Sequence, residues 1–199
     1  MTYEGPLYAA QRDGGRGRSK HMDNKRDLRA AFHRQLKELW EITPQLRGDG
    51  QVTFIAMEGD WEPRSRLKEE LAEKHQHYGY KFVPLVTEEL DLLCSIDILF
   101  LRPDRPGSVV WAGDIDNRLK TLLDALRVPE ASEGYSLTAP ANDMDPFFVL
   151  LEDDKLITRV SVETDRLLAP VSGDNADVRL VLHVKVKPYA PSHWNDHLG

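Results

Sequence analysis

Val178-Arg179-Leu180-Val181-Leu182-His183-Val184-Lys185-Val186-Lys187 decides the fold of this 199-residue chain. Val178, Leu180, Leu182, Val184 and Val186 share one parity, while Arg179, His183, Lys185 and Lys187 take the other. A period of two predicts a strand with one buried and one wet face, as in a sheet covered on a single side. His183 falls on the wet face and needs no special role. The stretch Leu90 to Leu101 repeats the pattern, with Leu92, Cys94, Ile96, Ile98 and Phe100 on one side. Cys94 therefore reads as a packing group. A third strand follows Asp154, with Val160 and Val162 opposed to Arg159, Ser161 and Glu163.

Working outward, the apolar period changes to that of a helix. Leu28, Phe32, Leu36, Leu39 and Trp40 form a stripe predicting a helix capped by Asp23. Arg26, Arg29 and Lys37 fall off that stripe, as a solvated face or as phosphate contacts. Gln51 to Met57 reads as a short strand, and Pro63 opens a helix through Leu67 and Leu71 that ends near Gly79. His75 and His77 are two apart and share no helix face, which argues against a metal pair. Leu119, Leu122, Leu123 and Leu126 predict a helix beginning near Ile115 or Asp116 and ended by Pro129, followed by a long loop from Glu130 to Pro146. The expected architecture is a single α+β domain, a mixed or antiparallel sheet with helices on one face. A basic Gly-rich arm covers 1–22, an extension of two helices and a strand covers 23–88, the core covers 89–188, and a tail covers 189–199.

Composition sets bounds. Hydrophobic residues make up 41% and charged residues 30%, the balance of a globular chain. A single cysteine allows no intrachain disulfide. Without a signal-type N-terminus or an apolar run of about 20 residues, a cytoplasmic protein with no membrane association is expected. The net charge of −7 argues against broad nonspecific nucleic-acid binding. Basic residues nevertheless crowd the N-terminal part, among them Arg16, Arg18, Lys20, Arg26 and Arg29, which makes these the candidate DNA contacts.

Two acidic segments interrupt the apolar sequence: Asp114-Ile115-Asp116-Asn117-Arg118-Leu119-Lys120, and Glu152-Asp153-Asp154. Two like charges about 4 Å apart repel by roughly 4 kcal/mol at an effective dielectric of about 20, so gathered carboxylates call for a cation. Oxygen ligands select Mg²⁺ or Mn²⁺ over zinc. A calcium EF-hand loop fails, because its fifth and sixth positions fall on Arg118 and Leu119. A Walker loop and a Gly-x-Ser-x-Gly elbow are both absent. Asp116, Lys120 and Asp124 are spaced i, i+4, i+8 along one side of the predicted helix.

The ensemble of Asp-x-Asp-Asn-x-x-Lys opening a helix, with an Asp-Asp pair after an apolar run, resembles the RusA-like family of Holliday junction resolvases, over roughly Leu90 to Lys187. The resemblance implies a Mg²⁺-dependent endonuclease that cuts branched DNA in recombination and repair, acts as a homodimer, and accepts Mn²⁺ in place of Mg²⁺. It implies metal-binding carboxylates at Asp114, Asp116 and Asp154, a catalytic lysine at Lys120, and supporting roles for Asn117 and Asp153. Glu152 shares the parity of Asp154 and stands as a reserve ligand. Alternatives are a nucleotidyltransferase or primase-like metal enzyme, and a non-catalytic phage or prophage DNA-binding protein.

Overall fold

A computed structural model describes residues 1–9, 16–47, 67–77, 79–103, 114–130, 142–169 and 175–190, with backbone alone at 16–21, 45, 47, 114 and 142. The elements run β1 (Thr2–Pro6), α1 (Arg16–Ile42), α2 (Pro44–Arg47), α3 (Leu67–Lys74), β2 (Gln76–His77), β3 (Tyr80–Val86), β4 (Leu92–Arg102), α4 (Asp114–Leu126), β5 (Phe147–Leu151), β6 (Ile157–Arg166) and β7 (Asp177–Pro188). The α+β expectation holds. The strands form two mixed sheets, four strands in the order β1-β7-β4-β6 and three in the order β2-β3-β5.

β4 is the centre of the larger sheet. It pairs antiparallel with β7 and parallel with β6. Burial alternates along its whole length, so Leu92, Cys94, Ile96, Ile98 and Phe100 point into the core. Val178, Leu180 and Leu182 of β7 do the same. Helix α1 supplies the opposite wall through Leu28, Phe32, Leu36 and Trp40, all at most 3% exposed. Leu39 is 36% exposed and lies at the margin of the predicted stripe.

The structure differs from the sequence pattern at three places. Residues 2–6 do not belong to the predicted arm: they form β1, pair with β7, and extend the sheet by one strand. α1 begins at Arg16, so Asp23 is not its cap but an exposed interior residue 3.7 Å from Arg26. Tyr80–Val86, which lacks clean alternation, is β3. It is buried on both faces because it runs parallel between other elements, and such strands show no period of two. α1 packs against both α4 and β5 and shares the main core. The predicted strand at 51–57, the helix start at Pro63 and most of the 130–146 loop lie outside the described residues.

Candidate functional site

The two acidic segments occupy different ends of the molecule. Asp114 begins α4, whose inward stripe is Ile115, Arg118, Leu122 and Ala125. This side also carries Leu126, with Leu119 and Leu123 packed against the core, as the leucine stripe predicts. It leaves Asp116, Asn117 and Lys120 exposed on the outer side. Farther along, the Thr121 hydroxyl donates to the Tyr8 carbonyl at 3.1 Å. Tyr8 follows β1 at the end of the sheet where Pro6 faces Asp177. The other end of α4 reaches β5, where the Val128 N–H donates to the Leu151 carbonyl at 3.0 Å.

The second segment follows β5 directly. Asp154 opens a one-turn 3-10 helix, Asp154–Leu156, and leads into Ile157, which pairs with Cys94, itself opposite Val186. Nine residues of β7 separate Val186 from Asp177, about 30 Å of strand. Asp116 lies eleven residues before Arg127, about 16 Å along the helix axis. Asp116 and Asp154 of one chain are thus on the order of 20 Å apart. The expected convergence of three carboxylates does not occur within a single chain at this pair. Among the described residues no group of three or more His, Cys, Asp or Glu is arranged to hold a metal ion. The Asp114 side chain lies outside the described residues, as do those of Arg16, Arg18 and Lys20.

Most acids near these segments serve the fold. Asp124, far from joining Asp116 on a solvated side, accepts from Lys25 Nζ at 2.7 Å and lies 3.6 Å from Arg127. Glu152 accepts the Glu88 N–H at 2.9 Å, and its own N–H donates to the Val86 carbonyl. It ties the β5 exit to the turn after β3 and is not a spare ligand. Asp153 caps the 3-10 helix by accepting the Lys155 N–H at 2.9 Å. Asp116, Lys120 and Asp154 stand exposed. The i, i+4 ion pair between Asp116 and Lys120 is not formed, which leaves both groups available. Arg29, another candidate DNA contact, is 2% exposed and donates to the Asp124 carbonyl at 2.7 Å. Arg26 is exposed and keeps its place among the candidates.

Two inward-facing arginines escaped the sequence reading. Arg102 continues the even parity of β4 and is 2% exposed; Arg118 lies on the α4 inner stripe at 9%. The parity of Leu92 to Phe100, extended one step, would have found the first. Cys94 is fully buried and burial pushes its thiol up to about 11, as a packing role requires. His75 is buried, and desolvation lowers its pKa.

No protein-family model, no curated protein and no solved structure matches this chain. Among the described residues no helix is long and apolar enough to cross a membrane.

Proposed function

We propose that this chain is a Mg²⁺-dependent endonuclease of branched DNA, with Mn²⁺ able to replace Mg²⁺, acting as a homodimer in recombination or repair. One observation carries the reading. Of the five described acids considered, Asp124, Glu152 and Asp153 are engaged by the fold, while Asp116 and Asp154 present exposed carboxylates. Those two, with Asp114, are the positions the family pattern marks as ligands. Their oxygen donors suit a hard cation, and Lys120, one turn from Asp116, suits neutralisation of charge on a phosphate.

The separation of Asp116 from Asp154 adds a condition. The metal centre is composite: Asp114 and Asp116 of one chain are completed by Asp154 of the partner subunit. Two chains related by a twofold axis would then form two equivalent sites, matching paired cuts in a branched duplex. The bound cation supplies polarisation of the scissile phosphate and activation of water. Asp114 and Asp116 would hold it at the helix start, and Lys120 is exposed on the same side as Asp116.

Subunit mixing tests this. D116N and D154N should each lose cleavage of a Mg²⁺-supplemented four-way junction by at least about a hundredfold, the range for groups on which charge stabilisation depends. After mixing and re-equilibration, heterodimers carry one intact composite site, and activity should return. If the mixture stays inactive while each variant is inactive, the site is not shared between chains. If neither substitution matters, the metal assignment falls. Binding of junctions by wild type without cleavage in Mg²⁺ or Mn²⁺ would favour a non-catalytic DNA-binding protein.

A further inference from the structure

We infer that Arg102 is a phosphate-binding residue for the nucleic-acid substrate, an assignment that rests on the nuclease reading above for the identity of the ligand. Arg102 is the last residue of β4 and is 2% exposed. Its Nε and Nη2 are sealed from solvent and have no hydrogen-bond acceptor. Guanidinium groups remain protonated at any working pH, so the charge cannot be shed by titration. A buried charge without a partner is disfavoured, and replacement by an apolar side chain of similar volume is ordinarily neutral or stabilising.

Three other inward-facing cations among the described residues do meet acceptors. Lys25 and Arg127 are paired to the Asp124 carboxylate, and Arg29 donates to the Asp124 carbonyl. Arg102 departs from that pattern. Its backbone is fixed by pairing with Arg166 and by the Leu167 N–H donating to its carbonyl at 2.7 Å. The side chain follows Phe100 on the core parity and so projects beneath the end of the sheet occupied by Tyr8 and the first half of α4. Arg118 projects inward from α4 at the same end. A planar fork held there suits two oxygens of one phosphate better than a point charge would. Asp116 lies at the same end of α4, on its outer side.

The test works without a metal. In EDTA, the thermal midpoint of wild type should rise with inorganic phosphate and stay flat with acetate at equal ionic strength. R102M should lose the phosphate response, and R102K should keep a reduced one, since a lysine binds phosphate without the bidentate geometry. Labelled junction DNA in EDTA should bind R102M about tenfold more weakly, the scale of one lost arginine contact. If R102M does not fold, the comparison of R102K with wild type carries the result. The assignment is overturned if phosphate leaves the wild-type midpoint unmoved, or if the variant that folds responds to phosphate and DNA as wild type does. Phosphate and DNA binding lost in R102M, from a wild type that does not cleave in Mg²⁺, would uphold Arg102 and sink the nuclease reading alone.

Discussion

Lys25 Nζ lies 2.7 Å from the Asp124 carboxylate and joins α1 to α4 across ninety-nine positions of sequence. The two side chains are only 9% and 14% exposed. Arg127 approaches the same carboxylate at 3.6 Å, and Arg29 holds the Asp124 carbonyl at 2.7 Å. One carboxylate therefore answers more than one enclosed cation. Removing one partner of such a group leaves a buried charge unanswered, which costs about 3–5 kcal/mol. D124A should lose stability on that scale in urea unfolding, while K25M, which removes a cation and leaves Arg127 in place, should lose much less. Equal losses would mean the carboxylate is not the shared centre. If D124A folds well enough to assay, its metal affinity should match wild type, because Asp124 is no ligand.

β1 completes the sheet, and its removal should therefore damage more than a tail. Thr2 to Pro6 pair with Val181 to Asp177, and the Met1 amine donates to the Leu182 carbonyl at 2.8 Å. Without residues 1–6, β7 becomes an edge strand with unpaired backbone groups next to the 40% exposed Val181. The truncated chain should show lost hydrogen-exchange protection at Val178–Val181 and a greater tendency to aggregate. Unchanged protection would show that β1 contributes nothing to the sheet.

The legible parts of the fold were those in which one face meets water. β4 and β7 each bury a single parity, so their alternation was readable, and α1 showed its stripe because its outer side is solvated. β3 was not readable because its burial is nearly continuous. β1 is only five residues long, and the basic Gly-rich composition of 1–22 pointed to an arm while pairing with β7 decided otherwise. At the candidate site, sequence spacing placed Asp116 and Asp124 on one helix side, yet it carried no information about Lys25 in α1, which claims Asp124. Spacing along the chain also says nothing of which end of a strand a segment meets, and that is why the distance between Asp116 and Asp154 emerged only from the strand register.

Cys94 offers a probe of the core. It is fully buried in β4, and burial pushes its thiol up to about 11. Thiolate is the reactive form, so at pH 8 a thiol reagent should modify the native protein only through opening of the structure. Labelling should be complete within seconds in urea and slower by at least about a hundredfold under native conditions, consistent with a stable fold. Fast native labelling would place Cys94 outside the core.

His33 should couple stability to pH. It is 2% exposed on α1 and stacks against Phe147 with ring centroids 4.5 Å apart. Its Nδ1 accepts the Phe148 N–H at 2.9 Å, so that nitrogen carries no proton, and Nε2 faces the Asp143 carbonyl at 3.1 Å as donor. Burial lowers its pKa first, and Lys37 and Arg34 act in the same direction against the Asp143 contribution. In the unfolded chain the same group titrates near 6.5. Below about that pH the unfolded state binds a proton that the folded state refuses, so stability rises with pH across this window. The contribution is fully present above about 6.5 and is lost as pH falls through the lower folded value. His75 is shifted in the same direction and remains in an H33Q variant, so the difference between wild type and H33Q isolates His33. Urea midpoints measured from pH 7.5 to 5.5 should fall more steeply for wild type than for H33Q. Parallel profiles would mean that His33 takes up its proton alike in the folded and the unfolded chain.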